Sequence, residues 1–310
     1  MRYQFAFLKN DLKFWLINLG YKLKYRFKRA KKRNTLFFIF EPQRKHAGIA
    51  DRLKAIISLY NLAKSNGYKF KFYFKTPFAL SDYLVPQSDW EAEMDDLEYS
   101  IFDTKIINET NWHKLPQLKA GKQYHCYCYT GNEIPEVFNN TGYKWSELFS
   151  ELFEPSLKIK SACDAYNLNY GSYISIHFRF VNALERFENT FFDNYLESEE
   201  ERRLLIQKCK NGIQNVMNDN PNTEIYVFSD SKVFLQNLSD MNVKVLDYEE
   251  IGHTGEEGNM DSYLKSFIDL YVMAHSKCIY RALCPEIYQH SCYALLAARI
   301  GDIPFYDKQM

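Results

Sequence analysis

No stretch of this 310-residue sequence approaches the ~20 uninterrupted apolar residues that a membrane-crossing helix needs. An excess of one charge is lacking too: 39 Lys and Arg balance 39 Asp and Glu, so no chain-wide basic surface awaits nucleic-acid phosphates. There is no G-x-x-x-x-G-K-[ST] and no G-x-G-x-x-G, which argues against a P-loop NTPase and a dinucleotide dehydrogenase. The seven cysteines contain no C-x-x-C pair, and Cys126 and Cys128 lack a histidine partner at zinc-finger spacing. The expectation is reduced, mostly buried thiols in a reducing compartment. A signal peptide is not expected, because Lys9, Asp11 and Lys13 break the N-terminal apolar positions. These absences describe a cytoplasmic chain that does not bind nucleic acid.

What is there is unevenly spread. Residues 1–33 hold eleven Lys and Arg against Asp11 alone, a net +10, so residues 34–310 carry −10. Within this basic tail Phe5, Leu8, Leu12, Trp15, Leu16 and Leu19 fall on one helical stripe. An apolar stripe carrying aromatics and ringed by lysines suits the interface of an anionic membrane. The same segment would also serve as a helix packed on the acidic body, or as a disordered arm. The chain as a whole is 46% hydrophobic and 17% aromatic, enough for a sizeable core divided between two lobes.

From Thr35 short apolar runs alternate with helical stripes. "TLFFIF" reads as a strand, "EPQRKHAG" as a loop, and "IADRLKAIISLYNLAKSNG" as a helix. Its Ile49, Leu53, Ile56, Tyr60 and Ala63 follow 4-3-4-3 spacing, and Gly67 stands where a C-terminal cap would. "YKFKFYF" alternates like a strand, completing a βαβ unit and implying a parallel sheet. Residues 77–143 are less regular, apart from a strand at "YHCYCY". A helical stretch interrupted at Pro155 sets the boundary, dividing the chain into a tail (1–33), an N-terminal lobe (34–155) and a C-terminal lobe (156–310). The second lobe reads as a strand at 172–178, a helix at 199–219 with Leu205, Cys209, Ile213 and Val216 as its stripe, and a strand at 224–229. A short helix, a strand "VKVL", an acidic loop "DYEEIGHTGEEGN", a helix "DSYLKSFIDLYVMAHS", a strand "KCIY" and a helix at 286–299 complete it. Two α/β lobes with parallel sheets is the predicted architecture.

Open parallel sheets bind ligands beyond the carboxyl ends of their strands, and three such ends in the second lobe carry chemistry. "SYISIHFRF" ends in His177 and Arg179, two residues apart and so on one face. The next strand ends in Ser229, Asp230 and Ser231, and the loop after "KCIY" leads to Ser291 near a helix N-terminus. An arginine fork and helix N–H groups suit a nucleotide diphosphate, with Asp230 on a base or ribose edge. Each feature also has a plainer reading: an ion pair at a strand edge, an N-cap at Asp230 or Ser231, and packing for Ser291. The regularly spaced Gly252, Gly255 and Gly258 lie in a glutamate-rich loop that would repel phosphate.

These segments resemble those of several fucosyltransferase families. "GIADRL", from Gly48, is similar to a G-I-x-D-R-L opening, and "ISIHFRF" to a strand ending in H-x-R. "LFEPS" and "IYVFSDS" fit the same pattern, and in the closing segment Ser291 and Tyr293 match an S-x-F. The resemblance covers most of residues 45–300. It implies a GT-B-like fold with two Rossmann-like lobes, a donor held by the C-terminal lobe, and inversion at the anomeric centre without metal or cofactor. GDP-fucose would be the donor substrate, with Arg179 on its β-phosphate and Gly48, Arg52, His177, Ser229, Asp230, Ser231, Ser291 and Tyr293 in the donor site. Two departures stand out: H-x-R-x-G-D continues here as Phe180, Val181 and Asn182, and S-x-F is S-x-Y. Independently of the resemblance, no D-x-D occurs anywhere, Asp95 and Asp96 being adjacent, which disfavours a metal-dependent sugar transferase.

The expected reaction is direct displacement by an acceptor hydroxyl while the nucleotide diphosphate leaves. Arg179 would neutralise the charge growing on the leaving group, with His177 orienting it or touching the donor. Asp51, Glu185 or Glu188 would accept the proton, although an acid in a helix's first turn, as Asp51 is, has the helix dipole as sufficient reason. Arg52 either pairs with the acidic body or, if its helix begins at Gly48, faces the cleft. The partners expected are a nucleotide-sugar donor, a glycan acceptor in surface polysaccharide synthesis, and an anionic membrane surface at the inner face through residues 1–33. Two alternatives stay open: a GT-B transferase using another nucleotide sugar, and a non-catalytic membrane-associated binding module.

Overall fold

The computed structural model describes residues 29–40, 48–108, 115, 118–127, 142–186, 194–246 and 260–310, with Leu12, Trp15, Leu16, Leu19, Gly20 and Leu23 of the tail. Strand β1 (Thr35–Ile39) is buried at every position, as a central strand of a parallel sheet must be. Strand β2 (Lys69–Tyr73) alternates, with Phe70 and Phe72 buried and Lys69 exposed. Helix α1 (Ile49–Ser65) joins them and starts at the N-cap Gly48. Strands β3 (Leu84–Pro86), β4 (Thr104–Ile107) and β5 (Gln123–Cys126) follow, then helix α2 (Trp145–Leu152), strand β6 (Phe153–Pro155) and helix α3 (Leu157–Asp164). The first sheet has the order β2-β1-β5-β4 and is parallel throughout. β3 and β6 form a separate antiparallel pair.

The second sheet is built from β7 (Ile174–Phe178), β8 (Ile225–Ser229), β9 (Cys278–Leu283) and β10 (Phe305–Gln309), in the order β10-β9-β7-β8. All its pairings are parallel. Helices α4 (Glu199–Asp219), α5 (Lys232–Gln236), α6 (Met260–Ala274) and α7 (Tyr293–Gly301) connect the strands. Ser198 caps α4 by accepting the Glu201 N–H, and Glu199, Glu200 and Glu201 fill its first turn, where the helix dipole favours acids. The predicted stripe of Leu205, Cys209, Ile213 and Val216 packs with Ile174, Ile176 and Phe178 of β7.

The two sheets share one apolar cluster, which runs from Leu36 in β1 to Ala298 in α7. Tyr83 stacks on Phe267 with ring centroids 4.5 Å apart, and Phe78 meets Tyr263 at 4.7 Å. Helix α1 is buried nearly all round because β1, β2, α2 and α7 enclose it. The free thiols fit this packing: five of the six described cysteines are buried, and burial pushes Cys163 up to about 12. Among the described residues no helix is long and apolar enough to cross a membrane.

Three expectations are corrected. "VKVL" forms no strand; Lys244 alone makes a single bridge to Tyr226. The last helix begins at Tyr293 rather than 286, because residues before it turn back on β9: Gln289 Nε2 donates to Cys284 O and Arg281 Nη1 to Ser291 O. A final strand, β10, lies beyond that helix and was not anticipated, its side chains being mostly exposed. The acidic loop with Gly252, Gly255 and Gly258, Glu188, and the distal part of "YHCYCY" lie outside the described residues.

Candidate functional site

The carboxyl end of the second sheet gathers the polar groups. Along β7 the apolar Ile174, Ile176 and Phe178 face α4, which leaves Ser175, His177 and Arg179 on the opposite face. His177 is buried, its ring 5.5 Å from that of Tyr293. Burial, then the neighbouring Arg179, Lys265 and Arg281 charges, push the imidazole down to about 3. It is therefore neutral at physiological pH, and its Nδ1 has no hydrogen-bond partner among the described residues.

Arg179 Nη1 donates to Asp230 Oδ2 at 2.9 Å, and the arginine side chain stays 22% exposed. Asp230 also accepts the Phe180 N–H on Oδ1 and the Val181 N–H on Oδ2, both at 2.8 Å. The carboxylate thus holds the guanidinium and the backbone that follows it. Val181 sits at φ 59°, a left-handed conformation that glycine takes freely and a β-branched residue strongly resists. Valine here keeps a glycine-like backbone, its N–H held by Asp230.

The other strand ends are braced likewise. Ser231 caps α5, accepting the Phe234 N–H at 3.1 Å, which is the plainer of its two readings. Ser229 Oγ accepts the Ser231 N–H. Glu185, expected as a base, accepts the Ser231 hydroxyl at 2.7 Å and the Val233 N–H at 3.2 Å on one oxygen, so it shares in capping α5. Ser291 precedes α7 rather than lying in it, and its carbonyl takes Arg281, which is itself gripped by both carboxylate oxygens of Asp307 in β10. Tyr293 donates its hydroxyl to Ser266 O.

Two groups escaped the sequence reading. Lys265 and Asp269, four apart on α6, form a buried ion pair, and Lys265 Nζ also donates to Ser229 O at 3.3 Å. The signal available was a lysine and an aspartate at i and i+4 amid the buried Tyr263, Phe267 and Leu270. Asn194 was missed too; it binds Phe180 O, Glu286 O and the Asn182 N–H.

The N-terminal candidates lie on α1. Gly48 does start α1, yet Arg52 does not face a cleft: it is fully buried, its guanidinium carbon 4.3 Å from the Phe40 ring centroid and 5.5 Å from that of Phe74. Asp51 pairs with Lys54 at 2.5 Å. Among the described residues no group of three or more His, Cys, Asp or Glu gathers where it could hold a metal ion.

No family model matches the chain, and no curated protein matches it. Solved structures do. NodZ α-1,6-fucosyltransferase soaked with GDP-fucose is similar at 13% identity over 87% of this chain and 93% of that one, with a TM-score of 0.55. Fucosyltransferase NodZ from Bradyrhizobium gives 12%, 86%, 92% and 0.55. A variant of Arabidopsis thaliana FUT1 in complex with GDP gives 10% identity, 93% of this chain, 73% of that one and 0.55. The chain has a GT-B, fucosyltransferase-like fold.

Proposed function

We propose that this protein is a glycosyltransferase that moves fucose from GDP-fucose to a glycan acceptor, with inversion and without metal, in surface polysaccharide synthesis. The observation that carries the reading is the Arg179–Asp230 unit at the ends of two adjoining strands, with Val181 forced into a left-handed backbone beside it. Backbone strain of this kind, of order 1–3 kcal/mol, persists where a loop shape is held for a purpose. The fold likeness to fucosyltransferases crystallised with GDP-fucose and GDP supports the same reading.

In this account residues 156–310 take the donor and residues 34–155 the acceptor. Arg179 neutralises the diphosphate as the bond from its oxygen to the anomeric carbon breaks and the acceptor oxygen forms the new one. A fixed, planar guanidinium suits phosphate oxygens better than an ammonium would. Neutral His177 lines the donor pocket beside Tyr293. The acceptor proton goes to a carboxylate, and Glu185 is assigned this role because it stands on the loop that follows Arg179; Asp51 is committed to Lys54. The tail places the enzyme on the inner face of the membrane: Leu12, Trp15, Leu16 and Leu23, on one helical face, are each more than half exposed, and the surrounding charge of +10 suits anionic lipid.

A panel of nucleotide sugars tests this by thermal shift and by donor turnover in EDTA. GDP and GDP-fucose are expected to raise the melting temperature, and GDP-fucose to turn over. Stabilisation by a uridine or thymidine diphosphate sugar instead would move the assignment to another donor. Stabilisation by GDP-fucose with no turnover on any acceptor would favour a binding module, a reading that the replaced Gly-Asp (Val181 and Asn182) also favours.

A further inference from the structure

Arg179 opens the loop after β7, and that loop is fastened by a side chain outside every motif. Asn194 Nδ2 donates to Phe180 O at 2.8 Å and to Glu286 O at 3.0 Å, while its Oδ1 accepts the Asn182 N–H at 3.1 Å. One amide thus ties the loop after β7 to the loop after β9. A second bond joins the same two loops, from Tyr288 N–H to Arg179 O at 2.9 Å. The chain beyond Asn194 continues the attachment, with Leu196 N–H on Ala183 O and Arg202 of α4 on the carbonyls of Leu196 and Glu197.

We propose that Asn194 is a positioning residue, a latch that fixes the backbone presenting Arg179 to the donor diphosphate. The inference rests on the donor-site reading for its functional meaning and on these bonds for its geometry. The bonding pattern is selective, because two donated bonds and one accepted bond on one short side chain match a primary amide. A carboxylate of the same shape would set an anion against two carbonyl oxygens and keep only the contact to the Asn182 N–H. The Asp230 bonds fix the Phe180 and Val181 N–H groups on one side of the loop; Asn194 fixes the Phe180 carbonyl and the Asn182 N–H on the other. With the amide gone, strain at Val181 favours escape from the left-handed backbone, and Arg179 loses its aim.

The test uses full-length Asn194→Asp and Asn194→Ala, with Asn220→Asp as a control, since Asn220 Nδ2 also bonds a backbone carbonyl, that of Val216 at the end of α4. Two readings are taken well below the melting temperature: hydrogen exchange at the Phe180, Val181 and Asn182 amides, and GDP affinity by calorimetry. Both Asn194 variants are expected to speed exchange at those amides at least tenfold and to weaken GDP binding roughly 10–100-fold, the size of one or two lost hydrogen bonds; Asn220→Asp should change neither. Exchange unchanged from wild type in Asn194→Asp would overturn the latch. Faster exchange with GDP affinity within twofold of wild type would overturn its role in presenting Arg179. A wild-type protein that binds no GDP would overturn the donor-site reading and, with it, the functional half of the proposal, while exchange still decides the geometric half.

Discussion

The two sheets end differently. At the carboxyl end of the first, Phe40 and Phe74 stack at 4.6 Å and Arg52 is sealed over both. At the same end of the second, His177, Arg179, Ser229 and Asp230 stand together, and the arginine keeps a fifth of its surface open. The two arginines share a residue type and nothing else. Arg52 is buried against aromatic faces that accept a cation at short range; Arg179 is held by a carboxylate and keeps part of its surface exposed.

Swapping alanine into each arginine should separate these roles with the largest effect. Arg179→Ala is expected to lower kcat roughly 10²–10³-fold, the cost of removing one transition-state donor, with a smaller loss of stability because buried Asp230 keeps its two backbone N–H bonds but loses its cation; Arg179→Lys should keep the charge and still lose much of the rate. Arg52→Ala should do the reverse, losing about 2–5 kcal/mol of stability as a large core side chain with near-normal turnover per folded molecule. Paired urea melts and initial rates on the same preparations check both.

Acid sharpens the contrast next. The folded-state value of His177 lies near 3, below that of the unfolded chain, so the unfolded state binds the extra proton between about pH 6.5 and 3. Stability from this group is full above pH 6.5 and falls by about 1.4 kcal/mol for each unit below it. Urea unfolding from pH 7 to 4 should show this slope in the wild type, and a shallower one in His177→Gln.

Smaller still is the effect of relieving Val181. Val181 is also buried, so the strain is read against alanine: Val181→Gly should be about 1 kcal/mol more stable than Val181→Ala, because only glycine takes the left-handed backbone freely; a glycine variant no more stable than the alanine one in thermal melts would contradict the assigned strain. The tail should matter least to the chemistry. Deleting residues 1–28, short of the Arg29–Asp103 and Lys32–Asp96 pairs and the buried Ala30, is expected to abolish salt-sensitive binding to anionic vesicles and to leave turnover on a soluble acceptor unchanged, checked by co-sedimentation and rate measurements.

Most of the frame could be read from local pattern. β1, α1, β2, β7, α4 and β8 fall within two residues of their predicted limits, because each is an apolar or alternating strand or a long helix with an apolar stripe, a period written in its own residues. β10 could not be read so, since an edge strand with exposed side chains has no apolar alternation. The site divides the same way. The pair His177 and Arg179 was visible as two polar residues closing an apolar strand. Their supports were not: Asp230 reaches back 51 residues to Arg179 and Asp307 reaches 26 to Arg281, and nothing local announces a bond that only the closed sheet creates. The carboxylates of Asp230 and Glu185 hold a backbone turn and a helix start that their own local sequence does not show.

The most direct test is GDP binding by wild type and Arg179→Ala, measured by calorimetry in EDTA, with melting curves on both. The account predicts that the wild type binds, that the variant melts within a few degrees of it, and that its affinity falls roughly 10–100-fold for the loss of charge-assisted bonds to phosphate. A folded Arg179→Ala protein that binds GDP as tightly as the wild type would contradict the assignment of Arg179 to the donor diphosphate.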